Sequence, residues 1–214
     1  MKLYNANLSP YATRVRMQLY LKGIKAELVA VPSGGSHTPD YVKINPLEKI
    51  PTLDDGGFYL PESSAIMEYL EDTHPAPSLR PADPKERAKM RVVFNIADQY
   101  VLTPLFELFE QVNPATRDAK KVDAGLTDLS KALSGLEHFI SGGKYALGAT
   151  ATLADCALVP ALFFVNAIGP AFGQANLLGP KAKAYYTAVQ TDPNAAKIVE
   201  ELGAALAEYM KQAA

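Results

Sequence analysis

The chain carries one cysteine in 214 residues, Cys156. A lone thiol cannot close an internal disulfide, so the fold must rest on packing, and this usage fits a reducing, cytoplasmic compartment. Net charge is almost absent, −2 from 21 basic and 23 acidic side chains. That balance leaves no footprint for nucleic acid or for an anionic membrane surface. Uninterrupted apolar runs of about 18 residues, the length a membrane helix needs, are missing. The opening Met1-Lys2-Leu3-Tyr4-Asn5 lacks the apolar centre of a signal peptide. The histidines His37, His74 and His138 lie far apart without metal-ligand spacing, so no metal is expected. Gly34-Gly35 lacks the lysine-bearing frame of a phosphate loop. Neither a fixed-period repeat nor a low-complexity tract is found. With 48% hydrophobic residues the chain can bury a sizeable core, as one large domain or two small ones.

What is present centres on Lys49-Ile50-Pro51-Thr52-Leu53 and, nine residues further on, Glu62-Ser63-Ser64. Leu53 to Phe58 reads as a strand, a Gly-Gly turn and a return strand. A proline directly before a strand belongs where no ladder N–H is needed, and an X-Pro bond is where the cis form is cheap. A cis turn at Pro51 would leave the backbone of Ile50 facing outward, free to pair with an extended peptide. Ser63 reads as the N-cap of a helix beginning Ala65-Ile66-Met67, whose free N–H groups would suit a carboxylate. A free backbone edge beside an anion site is what a small acidic peptide requires.

In chain order, Lys2–Asn5 reads as a strand. Ser9-Pro10 opens a helix that runs to about Lys22 and stops at Gly23. Residues 26–31 read as a second strand, Ser33-Gly34-Gly35-Ser36 as a flexible loop, and Thr38-Pro39-Asp40 as the start of a short helix through Ile44. This β-α-β-α order, with the hairpin and the helix after it, makes a small α/β layer. Four prolines between His74 and Pro84 mark a linker. Everything beyond reads as helical: about 85–112 with a kink at Pro104, 118–140, 152–167, 181–190 and 195–211. The expected division is 1–75, a linker at 76–84, and an all-α domain at 85–214.

Taken together, these features resemble the glutathione S-transferase superfamily over nearly the whole chain. Asn45-Pro46 ahead of Lys49-Ile50-Pro51-Thr52-Leu53 is similar to the family's N-P-x-x-K/Q-[VI]-P-x-L, and Glu62-Ser63-Ser64-Ala65-Ile66 to its E-S-x-A-I. Gly148 with Thr152-Leu153-Ala154-Asp155 looks like its G-x-x-x-[ST]-x-A-D. Each motif alone is common; their order and spacing are specific. The resemblance implies a thioredoxin-like N-terminal domain followed by an all-helical C-terminal domain, a cis bond at Pro51, glutathione as co-substrate and a homodimer.

The resemblance also assigns roles. Ile50, beside Pro51, would pair with the cysteinyl part of glutathione. Glu62 would face its ammonium and Ser63 its α-carboxylate. His37 and Lys49 would reach the glycyl carboxylate. Ser9 would be the catalytic residue, its hydroxyl donating to the sulfur and stabilising the thiolate, with the helix start adding a favourable field. Tyr11, Tyr100 and Phe106, with Leu105 and Phe163, would line an apolar wall for a small hydrophobic electrophile. Asp98 would lie near a partner subunit's glutathione.

Plainer readings stand beside these. Ser9 can be an N-cap alone, or cap and donor at once. Arg14 reads more readily as a solvated helix residue than as a source of positive potential at the thiol. Thr152 and Asp155 have capping-box spacing and read as structural, and Cys156 as a buried small hydrophobe. Disulfide chemistry needs cysteine where Ser9 stands, because a hydroxyl cannot form a mixed disulfide, so negligible glutaredoxin-like activity is expected. The leading function is conjugation of glutathione to an electrophile. The alternatives are a glutathione-dependent cis–trans isomerase of a maleyl keto acid (maleylacetoacetate or maleylpyruvate), an aryl-ether lyase, or a non-catalytic glutathione-binding module. For the isomerase, Ser9 with Arg14-Val15-Arg16 matches the helix start of serine-type relatives, but their S-S-C motif is missing.

Overall fold

The structure, a computed structural model, describes residues 1–32 and 34–213. The first residue of the expected Ser33–Ser36 loop lies outside them. The chain divides into two compact units, Met1–Leu79 with Lys197–Ala214, and Arg80–Ala196.

In the first unit, β1 (Lys2–Asn5), α1 (Pro10–Lys22), β2 (Glu27–Ala30), α2 (Pro39–Val42), β3 (Thr52–Asp55), β4 (Phe58–Pro61) and α3 (Ser63–Thr73) follow one another. The sheet order is β2-β1-β3-β4. β1 runs parallel to β2, with Leu3 opposite Leu28, and antiparallel to β3, with Leu3 opposite Leu53. The β3–β4 hairpin turns at Gly56-Gly57, whose φ values of 63° and 95° lie where glycine alone is unstrained. This is the thioredoxin-like arrangement. Leu3 and Leu53 at the sheet centre and Val15, Met17, Ile66, Met67 and Leu70 on α1 and α3 are fully buried.

Helix α1 buries charged and polar side chains as well as apolar ones. Arg14, Arg16, Gln18 and Lys22 are buried along with Val15, Met17 and Leu19, so the solvated reading of Arg14 is wrong; that side chain is 2% exposed. Buried charge demands partners, and α1 finds them on α3, on the segment before the second unit and on the last helix. Lys22 Nζ meets Glu71 Oε1 at 2.8 Å and donates to the Pro77 carbonyl at 2.6 Å. Glu71 also accepts from Gln18 Nε2 at 3.2 Å and from the Leu79 N–H at 3.0 Å. This cluster fixes the segment that carries a second cis bond, Ala76–Pro77, which the sequence reading had missed.

The second unit is helical: α4 (Pro84–Asn95), a π-helical stretch (Ile96–Val101), α5 (Leu102–Glu110), α6 (Ala119–Leu136), α7 (Leu153–Ile168), a 3₁₀ turn (Gly169–Phe172) and α8 (Pro180–Val189). The final helix, α9 (Pro193–Ala213), begins here, and from Lys197 onward it counts with the first unit rather than with 85–196. Contacts of Glu201 with α1 give the reason: it accepts from the Tyr20 hydroxyl at 2.9 Å. The interruption expected at Pro104 falls ahead of it. Proline cannot donate to the carbonyl four residues back and its ring crowds that carbonyl. The wider π winding absorbs this, with the Leu102 N–H reaching the Ala97 carbonyl.

Asp83 and Asp118 cap α4 and α6 through their carboxylates. Thr152 and Asp155 form the expected capping box on α7; Asp155 accepts from the Thr152 N–H and hydroxyl at 2.8 and 3.0 Å and from the Ala146 N–H at 2.7 Å. Burial raises the pKa of Asp155, and those hydrogen bonds oppose the rise. Cys156 is buried on the same helix. Leu153–Phe172 is long and apolar enough to cross a membrane, with mean hydropathy 1.6, although no pure apolar run signals it; 78% of it is buried.

Replacing Lys22 by Ala strands the Glu71 carboxylate in the interior. Urea denaturation is expected to show a loss of about 3–5 kcal/mol, the range for breaking one side of a buried ion pair.

Candidate functional site

The residues singled out at Pro51 and Glu62 lie in the first unit, at the two ends of the β3–β4 hairpin. Ile50–Pro51 is cis. The loop before it hangs on a buried polar cluster. Asn45, fully buried, donates through Nδ2 to the Lys49 carbonyl at 2.8 Å and to Thr52 Oγ1 at 2.9 Å. Its Oδ1 accepts from the Leu47 N–H at 2.9 Å. The Tyr41 hydroxyl donates to the same Lys49 carbonyl at 2.8 Å and lies 2.9 Å from Thr52 Oγ1. Pro51 and Thr52 are buried, Ile50 is half-buried, and Lys49 points its side chain to solvent. Among the described residues, the Ile50 backbone makes none of the loop hydrogen bonds.

His37 is exposed, with Nδ1 2.5 Å from Glu48 Oε2. Glu48 sits at φ 57°, a left-handed position that a bulky side chain rarely adopts. Ion pairs this open to solvent contribute little to stability, so the contact orients the ring more than it holds the loop.

At the start of α3 the expected cap is shifted by one residue. Glu62, at φ 66° and ψ 107°, is the N-cap, and Ser63 is the first helical residue, buried. The Glu62 carbonyl accepts from the Ile66 N–H at 2.9 Å, but the Glu62 side chain makes no capping bond. Helices α1, α4 and α6 have side-chain caps from their N-cap residues. The uncapped start of α3 therefore presents N–H groups and a positive dipole end that a carboxylate satisfies well.

Ser9 is the N-cap of α1. Its Oγ accepts from the Ala12 N–H at 3.2 Å, and its N–H donates to the Ala6 carbonyl at 3.0 Å. The Thr13 hydroxyl donates to the Ser9 carbonyl at 2.8 Å. As an acceptor in the cap, the Ser9 hydroxyl keeps its proton for another partner. Two residues on, Tyr11 is half-buried, and the Arg14 guanidinium lies 4.6 Å from its ring centre.

In the second unit, Tyr100 is 60% exposed in the π-helical stretch, and Phe106 is 42% exposed on α5. Tyr100 opens on a cavity of about 660 Å³ shared with Val92, Ile96, Pro104, Ala132 and Phe139. Asp98 is half-buried in the π-helical stretch. Leu105, on α5, is core rather than wall, 1% exposed. Phe163 packs edge-on against Phe164 at 5.3 Å.

Two polar networks were not foreseen. One is the Tyr41–Asn45–Thr52 cluster, of which the sequence shows only the Asn45-Pro46 step ahead of Lys49. The other surrounds Arg16, which donates to Asn7 Oδ1 at 2.8 Å and to Thr13 Oγ1 at 3.0 Å. Among the described residues, no group of three or more His, Cys, Asp or Glu side chains could hold a metal.

Comparison with known proteins shows the family of the chain. Residues 3–78 match the family described as "Glutathione S-transferase, N-terminal domain", and residues 95–193 match "Glutathione S-transferase, C-terminal domain". The chain is 34% identical to the maleylacetoacetate isomerase of Mus musculus, covering 74% of each chain. It is 36% identical to glutathione S-transferase 1 of Dianthus caryophyllus, covering 75% of each. A solved bacterial maleyl pyruvate isomerase, described as a glutathione S-transferase of the Zeta class, superposes with a TM-score of 0.78 at 29% identity, covering 92% of this chain and 96% of that one.

Asn45→Ala removes a buried side chain that bonds three groups. It is expected to lower stability by about 1–3 kcal/mol in urea unfolding. Lys49→Ala, on the exposed side of the same loop, should change stability by less than about 0.5 kcal/mol.

Proposed function

The chain belongs to the glutathione S-transferase superfamily, and from that premise we propose that it is a glutathione-dependent cis–trans isomerase of a maleyl keto acid. Glutathione is its co-substrate, as in the rest of the family. The observation that carries the mechanism is the Ser9 hydroxyl: its oxygen accepts the Ala12 N–H at 3.2 Å, which leaves its proton to donate to the glutathione sulfur. A donor at the sulfur, together with the positive end of α1, favours thiolate over thiol.

The peptide itself is held by the surfaces around the hairpin. Ile50, beside Pro51, pairs with the cysteinyl backbone. The uncapped start of α3 takes the γ-glutamyl carboxylate at Ser63, and Glu62 takes the ammonium. His37 and Lys49 reach the glycyl carboxylate. Tyr11, Tyr100 and Phe106 are assigned to the second substrate, and a homodimer in the cytoplasm completes the reading.

The thiolate adds to one carbon of the maleyl double bond. A C–S bond forms while the π electrons move onto the conjugated carbonyl as an enolate. The former double bond is now single and rotates. Collapse of the enolate then expels the thiolate and leaves the trans alkene, with glutathione returned unchanged. The relatives named as isomerases support this reading. Conjugation is the second reading, supported by the Dianthus transferase: it shares the first step but retains the C–S bond. Ser9 bars mixed-disulfide chemistry in either case.

Incubation of the protein with glutathione and maleylpyruvate separates the two. Isomerisation gives the trans acid with glutathione undiminished, whereas conjugation consumes one glutathione per product. In the same assay Ser9→Ala is expected to lower kcat/KM by about 10²–10³-fold, the scale for losing one donor to a developing anion. The ultraviolet thiolate absorbance of bound glutathione should titrate at higher pH in Ser9→Ala than in wild type. An unshifted thiol in wild type, or an isomer formed at the same rate without glutathione, would overturn the assignment.

A further inference from the structure

Arg16 is 1% exposed and bonds both flanks of Ser9. Ahead of it, Nη1 donates to Asn7 Oδ1 at 2.8 Å and Asn5 Oδ1 at 3.3 Å, and Nη2 donates to the Asn7 carbonyl at 3.2 Å. Behind it, Nη2 donates to Thr13 Oγ1 at 3.0 Å, and that hydroxyl passes its own proton to the Ser9 carbonyl at 2.8 Å. The same turn is also held by the Ser9 N–H donating to the Ala6 carbonyl at 3.0 Å, by Asn5 Nδ2 donating to Asn7 Oδ1 at 2.9 Å, and by the start of α1, where the Ala12 and Thr13 N–H groups donate to Ser9 Oγ and the Ser9 carbonyl at 3.2 and 2.9 Å.

The guanidinium is aimed from α9. Its Nε lies 3.7 Å from Glu201 Oε2, too long for a hydrogen bond but close for a charge pair, and neither atom has a hydrogen-bond partner among the described residues. The other Glu201 oxygen accepts from the Tyr20 hydroxyl at 2.9 Å. Lys197 Nζ stands 3.9 Å from that oxygen and 3.9 Å above the Tyr20 ring. Glu201 is thus held by α1 and α9 together, with one oxygen left to face Arg16.

We propose that Arg16 and Glu201 are positioning residues for Ser9: the carboxylate on the last helix sets the arginine fork, and the fork clamps the turn that presents the Ser9 hydroxyl. A planar fork of five donors suits this task, because it fixes direction where a lysine ammonium would give charge alone. The effect on chemistry rests on the assignment of Ser9 given above, whereas the clamp itself does not. It makes the last helix a determinant of thiol activation without contact with glutathione.

The test uses the full chain with Glu201→Gln, which keeps shape and hydrogen bonding but drops the charge, and with Arg16→Lys, which keeps the charge but drops the fork. Amide hydrogen exchange over residues 7–13 reads the clamp directly. It is expected to speed up by about tenfold or more in both variants, with the amides of β3 and α3 unchanged. The thiolate titration of bound glutathione should move toward the value of free glutathione, while the affinity for glutathione stays within about twofold. Adding Glu201→Gln to Ser9→Ala should give no further shift.

If exchange at 7–13 is unchanged in both variants and only residues 197–213 loosen, the pair merely docks the last helix and the proposal falls. It falls equally if the turn loosens and the thiol stays put although Ser9→Ala moves it. If Ser9→Ala itself leaves the thiol unmoved, the assignment of Ser9 fails, and the exchange data alone decide the clamp.

Discussion

The Lys49 carbonyl oxygen accepts two hydrogen bonds, from the Tyr41 hydroxyl and the Asn45 amide, each 2.8 Å long. Both donors come from the short stretch around α2, and both also meet the Thr52 hydroxyl at the first residue of β3. Buried polar groups cost free energy unless paired, so this cluster tolerates one arrangement of the loop. The strand cannot slide relative to the loop without breaking several bonds at once. The backbone of Ile50 inherits that rigidity, although it belongs to no ladder itself.

A similar economy operates at the starts of α1 and α3. A helix leaves its first N–H groups without partners, and α1 answers with the Ser9 oxygen while α3 supplies nothing from its own side chains. One end is closed by a hydroxyl that keeps its proton; the other leaves its N–H groups without a side-chain cap. The proposed grip on a thiol peptide uses that difference, a donor for the sulfur at one helix start and N–H groups for a carboxylate at the other.

Much of this was legible in the residues. Ser-Pro before an apolar-rich run, Gly at 23 and Gly-Gly at the hairpin each have a local physical cause, and each element formed where that cause acts. The cap of α3 was read one residue late, because glutamate has no local preference for the positive φ that Glu62 adopts ahead of the helix. Arg14 read as solvated because charge on a helix normally is; it is buried, and so are Arg16 and Lys22. They are buried because α1 is covered on several sides by polar groups distant in sequence: Glu71, the Pro77 carbonyl and Glu201. Pairings across 49 to 185 residues leave no periodic trace. The π winding before Pro104 escaped for a related reason: proline announces a disturbance but not the turn that absorbs it.

The apolar helix α7 has a further consequence, which concerns the order of synthesis. On leaving the ribosome, Leu153–Phe172 is as greasy as a membrane anchor. The elements it packs against first, α4, the π-helical stretch and α5, all precede it in the chain. Chains emerge from the N-terminus and fold largely as they lengthen, so a docking surface is already outside the exit tunnel when this helix arrives. Reversing that order would leave the helix uncovered for the seconds needed to translate its partners, open to insertion machinery and to aggregation. The topology thus shields its most hazardous segment in time as well as in space.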